Sequence, residues 1–79
     1  VSTVSMNTPF RSVHFLGICG TAMGAVATAM KARGIRVTGQ DDNVYPPMSD
    51  YLASQGIPIT QGYHPADIPT DTELVVIGN

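Results

Sequence analysis

Val13 to Gly24 reads VHFLGICGTAMG, an apolar run that stops at a glycine and passes directly into a small-residue helix start. A strand that ends on glycine and reverses into a helix leaves backbone N–H groups facing open space. The helix dipole adds partial positive charge at the same place, so the turn is a candidate phosphate site. Further along, Arg36-Val37-Thr38-Gly39-Gln40-Asp41 reads as a second strand ending in an acid. In dinucleotide-binding folds an acid about 20 residues past the glycines accepts a ribose hydroxyl. Turn, helix, strand and acid occur here in that order and at that spacing.

The rest of the chain continues the alternation. The periodicity predicts a strand over 12–16 and a helix over 21–32, with Met23, Val26, Ala27 and Met30 on one face. Gly34 is placed to end that helix. A second strand follows over 35–39, then a turn-rich segment stiffened by Pro46 and Pro47. A short helix over 48–55 stops at Gly56, and a short strand over 57–60 contains a proline, which suggests an edge. The stretch 61–72 reads as loop with one helical turn after Pro65, and Leu74 to Ile77 as a fourth strand. Strands alternating with helices imply an α/β fold, a Rossmann-like parallel sheet with right-handed crossovers and strand order 3-2-1-4. Residues 1–11 read as a disordered lead-in and 12–79 as the domain. The chain ends on a strand that should feed another element, so it reads as the amino-terminal piece of something longer.

Composition narrows the functional classes. A chain of 79 residues makes one domain at most, with a thin core. Four Lys and Arg residues and a net charge of −2 argue against a general nucleic-acid binder, because a run of phosphates could not be neutralised. No stretch reaches the roughly 20 apolar residues that span a bilayer. The single Cys19 makes no internal disulfide, and one thiol makes no metal site, which fits a reducing cytoplasm.

Set on the template G-x-G-x-x-G/A, the turn supplies Gly17, Cys19 and Ala22. The first and third fit; the second, where backbone must approach a pyrophosphate, is cysteine. With Asp41 in place, phosphate binding is favoured over a mere tight turn. Cys19 is read as a small packing residue rather than a nucleophile, and His14 as structural. Asp41, Asp42 and Asn43 form an oxygen-rich cluster that suits a turn or a ribose contact better than a hard cation. His64 is placed either near the nucleotide pocket or in solvent. There is no P-loop and no Ser-His-Asp set, so no catalytic residue is assigned, and the chain alone is expected to be inactive.

The segments HFLGICGTAMG, VTGQDDNVYPPMS and LVVIGN together resemble the amino-terminal domain of the Mur ligases over essentially all of 12–79. The CGTxMG turn and the NVYPPMS segment point to the branch that joins a murein tripeptide; the branch that adds L-alanine is the close alternative. The resemblance implies a domain that holds UDP-N-acetylmuramate. It also implies a cytoplasmic parent ligase of peptidoglycan recycling, in which ATP and Mg²⁺ activate the muramyl carboxylate as an acyl phosphate. No cofactor is then expected in this piece. On this resemblance Gly17, Ile18, Cys19, Gly20, Thr21, Ala22 and Met23 cradle the diphosphate. Asp41, with Asp42 and Asn43, reaches the uridine, and His64 and Asn79 line the same pocket. A nicotinamide-binding half-domain of a dehydrogenase or redox regulator is the alternative from a different class.

Overall fold

A computed structural model describes residues 10–78. The four strands are β1 (Ser12–Leu16), β2 (Arg36–Asp41), β3 (Ile59–Gln61) and β4 (Leu74–Ile77). They form one parallel sheet in the order β3-β2-β1-β4, as the alternation of elements predicts. Helix α1 (Thr21–Ala32) links β1 to β2, and α2 (Met48–Ser54) links β2 to β3. A single 3-10 turn, Pro65–Asp67, lies in the connection from β3 to β4. Asn79 and the lead-in as far as Pro9 lie outside the described residues.

Side chains alternate across a strand, so Val13 and Phe15 share one face of β1, and Ser12 and His14 the other. Val13, Phe15 and Val37 join Ala27 of α1 and Leu52 of α2 in the buried core, together with Ile18, Ile35 and Ile57. Both helices therefore cover the Val13 face, as right-handed crossovers in one direction require. The β3–β4 connection runs the opposite way and crosses the other face. There the Ser12 hydroxyl donates to the Asp71 carbonyl at 2.9 Å, and the Gln40 amide donates to the His64 carbonyl at 2.7 Å. Arg36 pairs with Asp71 at 2.6 Å on the exposed rim of this face. His14 is 1% exposed beneath it. Its Nδ1 shares a 2.6 Å hydrogen bond with the Thr38 hydroxyl, while Nε2 has no partner among the described residues. His14 is thus placed in the structural role expected of it.

Two strand boundaries and one helix face differ from expectation. Strand β2 runs two residues further, because Asp41 still pairs with Gln61 of β3. Strand β3 starts after Pro58 rather than at Ile57, whose side chain is buried in the core instead. Val26 is 42% exposed. The stripe that α1 buries is Gly24 and Ala27, flanked by half-buried Met23 and Met30, and Val26 lies about 100° round from Ala27.

Gly39 marks the tightest approach in the sheet. A Cβ there would lie 2.5–2.9 Å from atoms of the Ile18 side chain, which lies over this position fully buried. Gly39→Ala should therefore cost about 1–3 kcal/mol by overpacking. Gly34, with φ +89° and nothing within 4 Å of a built Cβ, should cost only about 1 kcal/mol for its backbone conformation when changed to alanine. Urea denaturation of the two variants checks the order. A Gly39→Ala chain as stable as the parent would contradict the close approach.

Candidate functional site

The site lies at the carboxyl edge of the sheet, where β1 gives way to α1. Gly17 adopts φ +89°, and a Cβ on it would come within 2.6 Å of the Gly78 carbonyl. Glycine is needed there both for the backbone conformation and for the approach of β4. The turn then uses most of its own donors. The Gly17 and Ile18 N–H groups both donate to the Gln40 carbonyl, at 2.9 and 3.3 Å. The Cys19 N–H donates to Asp41 Oδ2 at 2.9 Å, and the Gly20 N–H to the Gly17 carbonyl at 3.4 Å. Thr21, Ala22 and Met23 open α1, where N–H groups have no acceptor within the helix. Gly20 supplies no side-chain cap, and none of these three N–H groups donates to a described residue. The free donors therefore sit at 21–23, at the positive end of the helix dipole.

A cleft of about 430 Å³ opens beside the turn. Gly17, Cys19 and Gly20 of the turn line it, with the buried Asp41 beneath and Asn43 beside it. The segment after β2 lines it through Tyr45, Pro46, Pro47 and Met48, and Tyr63 and Gly78 complete the lining. No lysine or arginine lines it. Any anion held there must rely on backbone N–H groups and the helix dipole.

The structure brings together five of the residues singled out from sequence: Gly17, Cys19, Gly20, Asp41 and Asn43. Thr21 and Ala22 are exposed beside them, and Met23 packs against the core and beside Gly78. Ile18 departs from expectation. Its side chain is fully buried on Gly39, and its N–H is already engaged. Asp42 is exposed and lies outside the cleft lining. His64 lines an adjoining apolar depression with Leu16, Gln40 and Ile68, which shares Tyr63 with the cleft, rather than the cleft itself, because its backbone is held by Gln40 on the opposite face. Asn79 falls outside the described residues. Tyr45, Met48, Tyr63 and Gly78 were not singled out as site residues. The two tyrosines carried a signal: large aromatics in turn-rich segments, here 62% and 46% exposed.

Asp41 is 6% exposed, and both carboxylate oxygens accept backbone N–H groups. Oδ2 takes Cys19 at 2.9 Å and Oδ1 takes Asn43 at 2.8 Å. Burial raises the Cys19 thiol above its ordinary range, and the Asp41 charge raises it further. Desolvation, then Asp41 and Asp42, likewise keep the Tyr63 phenol protonated to higher pH than usual. Among the described residues no three His, Cys, Asp or Glu side chains gather as a metal site would.

A raised thiol pKa means less thiolate at neutral pH, and thiolate is the nucleophile. Iodoacetamide should therefore label Cys19 more slowly in the folded chain than in the same chain unfolded in urea. The folded-state rate should keep rising at pH values where the unfolded rate has levelled off. Faster labelling of the folded chain at pH 7 would contradict the inert reading of Cys19.

Comparison with known proteins adds a family. Residues 12–79 match the model described as "Mur ligase family, catalytic domain". The chain is 51% identical over 67 residues to the UDP-N-acetylmuramate–L-alanyl-γ-D-glutamyl-meso-2,6-diaminoheptandioate ligase of Escherichia coli K12, covering 85% of this chain and 15% of that protein. It is 46% identical over 67 residues to the UDP-N-acetylmuramate–L-alanine ligase of Arthrobacter sp. FB24, covering 85% of this chain and 14% of that one. A crystal structure of a murein peptide ligase from Psychrobacter arcticus 273-4 superposes with a TM-score of 0.82 at 48% identity, over 87% of this chain and 14% of that one. The chain thus spans about one seventh of the length of the relatives it matches. Over that span, in sequence and in sheet order alike, it belongs to the Mur ligase family.

Proposed function

We propose that this chain is the UDP-N-acetylmuramate-binding part of a cytoplasmic ligase that joins the muramyl carboxylate to L-alanyl-γ-D-glutamyl-meso-diaminopimelate in peptidoglycan recycling. One observation carries the reading. Three N–H groups at 21–23, unengaged among the described residues, open α1 beside a cleft large enough for a nucleotide. The diphosphate lies on these donors, and the uridine lies between the turn and the Tyr45–Met48 wall. The relative at 51% identity supports tripeptide addition, and the L-alanine ligase at 46% keeps the neighbouring branch as the second reading. The nicotinamide reading is set aside by the family match.

Binding here is orientation and desolvation rather than chemistry. Neutral backbone donors of a folded turn hold a diphosphate without reorganising, which fixes the attached sugar relative to the sheet edge. ATP and Mg²⁺ would supply carboxylate activation from parts of the parent protein outside these residues, so the chain alone turns over no ATP.

Titration with UDP-N-acetylmuramate, followed by ¹⁵N–¹H spectra, tests the reading. The largest shifts should fall on Thr21, Ala22 and Met23 and on the Tyr45–Met48 segment, and NADH should produce weaker ones. Shifts centred on 53–59, or a stronger response to NADH, would overturn it. Removing the partial charge of the helix end is not possible by mutation, but Ala22→Pro deletes one donor. That substitution should weaken UDP binding about five- to tenfold while the helix persists, because proline is tolerated in the first turn.

A further inference from the structure

Asp41 is placed where a dinucleotide-type fold keeps its ribose-binding acid, yet it is almost wholly buried and each of its oxygens already accepts a backbone N–H. Oδ2 accepts the Cys19 N–H at 2.9 Å and Oδ1 accepts the Asn43 N–H at 2.8 Å. The first donor belongs to the glycine turn, the second to the segment that becomes the Tyr45–Met48 wall. The residue is 6% exposed at the floor of the cleft between them. Only a carboxylate fits this arrangement, because it is acceptor-only at both oxygens; an asparagine would turn its NH₂ group toward one of the two N–H donors. Without the carboxylate, both backbone groups would lose their acceptor.

We propose that Asp41 is a positioning residue that clamps the glycine turn to the opposite wall of the cleft and does not itself bind the ligand. The proposal rests on reading the cleft as the UDP-sugar site. It has an electrostatic corollary. A buried carboxylate on the Cys19 N–H repels a phosphate from that donor, and so directs the anion along the turn to the 21–23 N–H groups. The acid thus sets both the width of the cleft and the place of the diphosphate within it.

Through-hydrogen-bond scalar couplings test this directly on the wild-type chain. Couplings from the Cys19 and Asn43 amide nitrogens to the Asp41 carboxyl carbon are expected in the free chain and unchanged when it is saturated with UDP. Their absence from the free chain, or their loss on adding UDP, would overturn the proposal. Asp41→Asn supplies a second reading. It should speed hydrogen exchange at both amides and weaken UDP and 2′,3′-dideoxy-UDP by the same factor, about tenfold. A wild-type preference for UDP over the dideoxy form that disappears in Asp41→Asn would show a ribose contact and overturn the clamp. If Asp41→Asn does not fold, the wild-type couplings with and without UDP decide alone. Failure of the wild-type chain to bind any uridine diphosphate would instead overturn the reading of the cleft, and the free-state couplings would still report on the clamp.

Discussion

The seating of Ile18 on Gly39 is the constraint on which the rest depends. The chain must leave β1, turn within a few residues and start α1 over the sheet. It can do so only if β2 has no side chain at the point of crossing. With no Cβ on Gly39, Ile18 fills the space and is fully buried. The same closeness lets the Gln40 carbonyl accept both the Gly17 and the Ile18 N–H. The turn is thereby fixed to the neighbouring strand by packing and by hydrogen bonds together. A core of eight buried apolar residues among the described ones leaves a domain of this size little stability in reserve, so a misfit at this one crossing would be costly.

From that fixed crossing the electrostatics of the cleft follow. The turn spends its early N–H groups on the protein's own acceptors and leaves the later ones open. An acid beside an anion site is unfavourable in isolation, but here its charge is met by two backbone donors rather than left bare. Its charge also reaches Cys19, raising a thiol that burial has already raised. On the proposed reading the cleft selects through placement: a positive helix end at one point and the Asp41 carboxylate a few residues away. A ligand whose diphosphate adjoins an uncharged base, as in the proposed UDP-sugar, matches that pattern.

Much of this was legible in the residues. Gly17 and Gly34 mark the backbone reversals on either side of α1, the β-α-β alternation gives the sheet order, and the glycine turn with an acid at the end of β2 points to the cleft. What could not be read was direction. Ile18 stands within the turn, but its side chain points into the core because Gly39 makes room for it, and no local pattern reveals that pairing. His64 follows β3 at the correct sheet edge, yet the Gln40 amide holds its backbone on the other face. Val26 fits a helical spacing, but the sheet accepts only the smaller Gly24 and Ala27 stripe. Spacing puts Asp41 at the end of β2, and its bond to the Asn43 N–H is a local turn of the kind aspartate favours, but its bond to the Cys19 N–H depends on two segments meeting in space.

The central claim is that the turn divides its donors: the Cys19 N–H serves the fold and the 21–23 N–H groups serve the ligand. A crystal structure of this chain soaked with UDP tests it most directly. The account predicts diphosphate oxygens within hydrogen-bond distance of the Thr21, Ala22 and Met23 nitrogens, with Asp41 still holding Cys19 and Asn43. A diphosphate seated on the Cys19 nitrogen, with the Asp41 carboxylate turned away to the ribose, would contradict it.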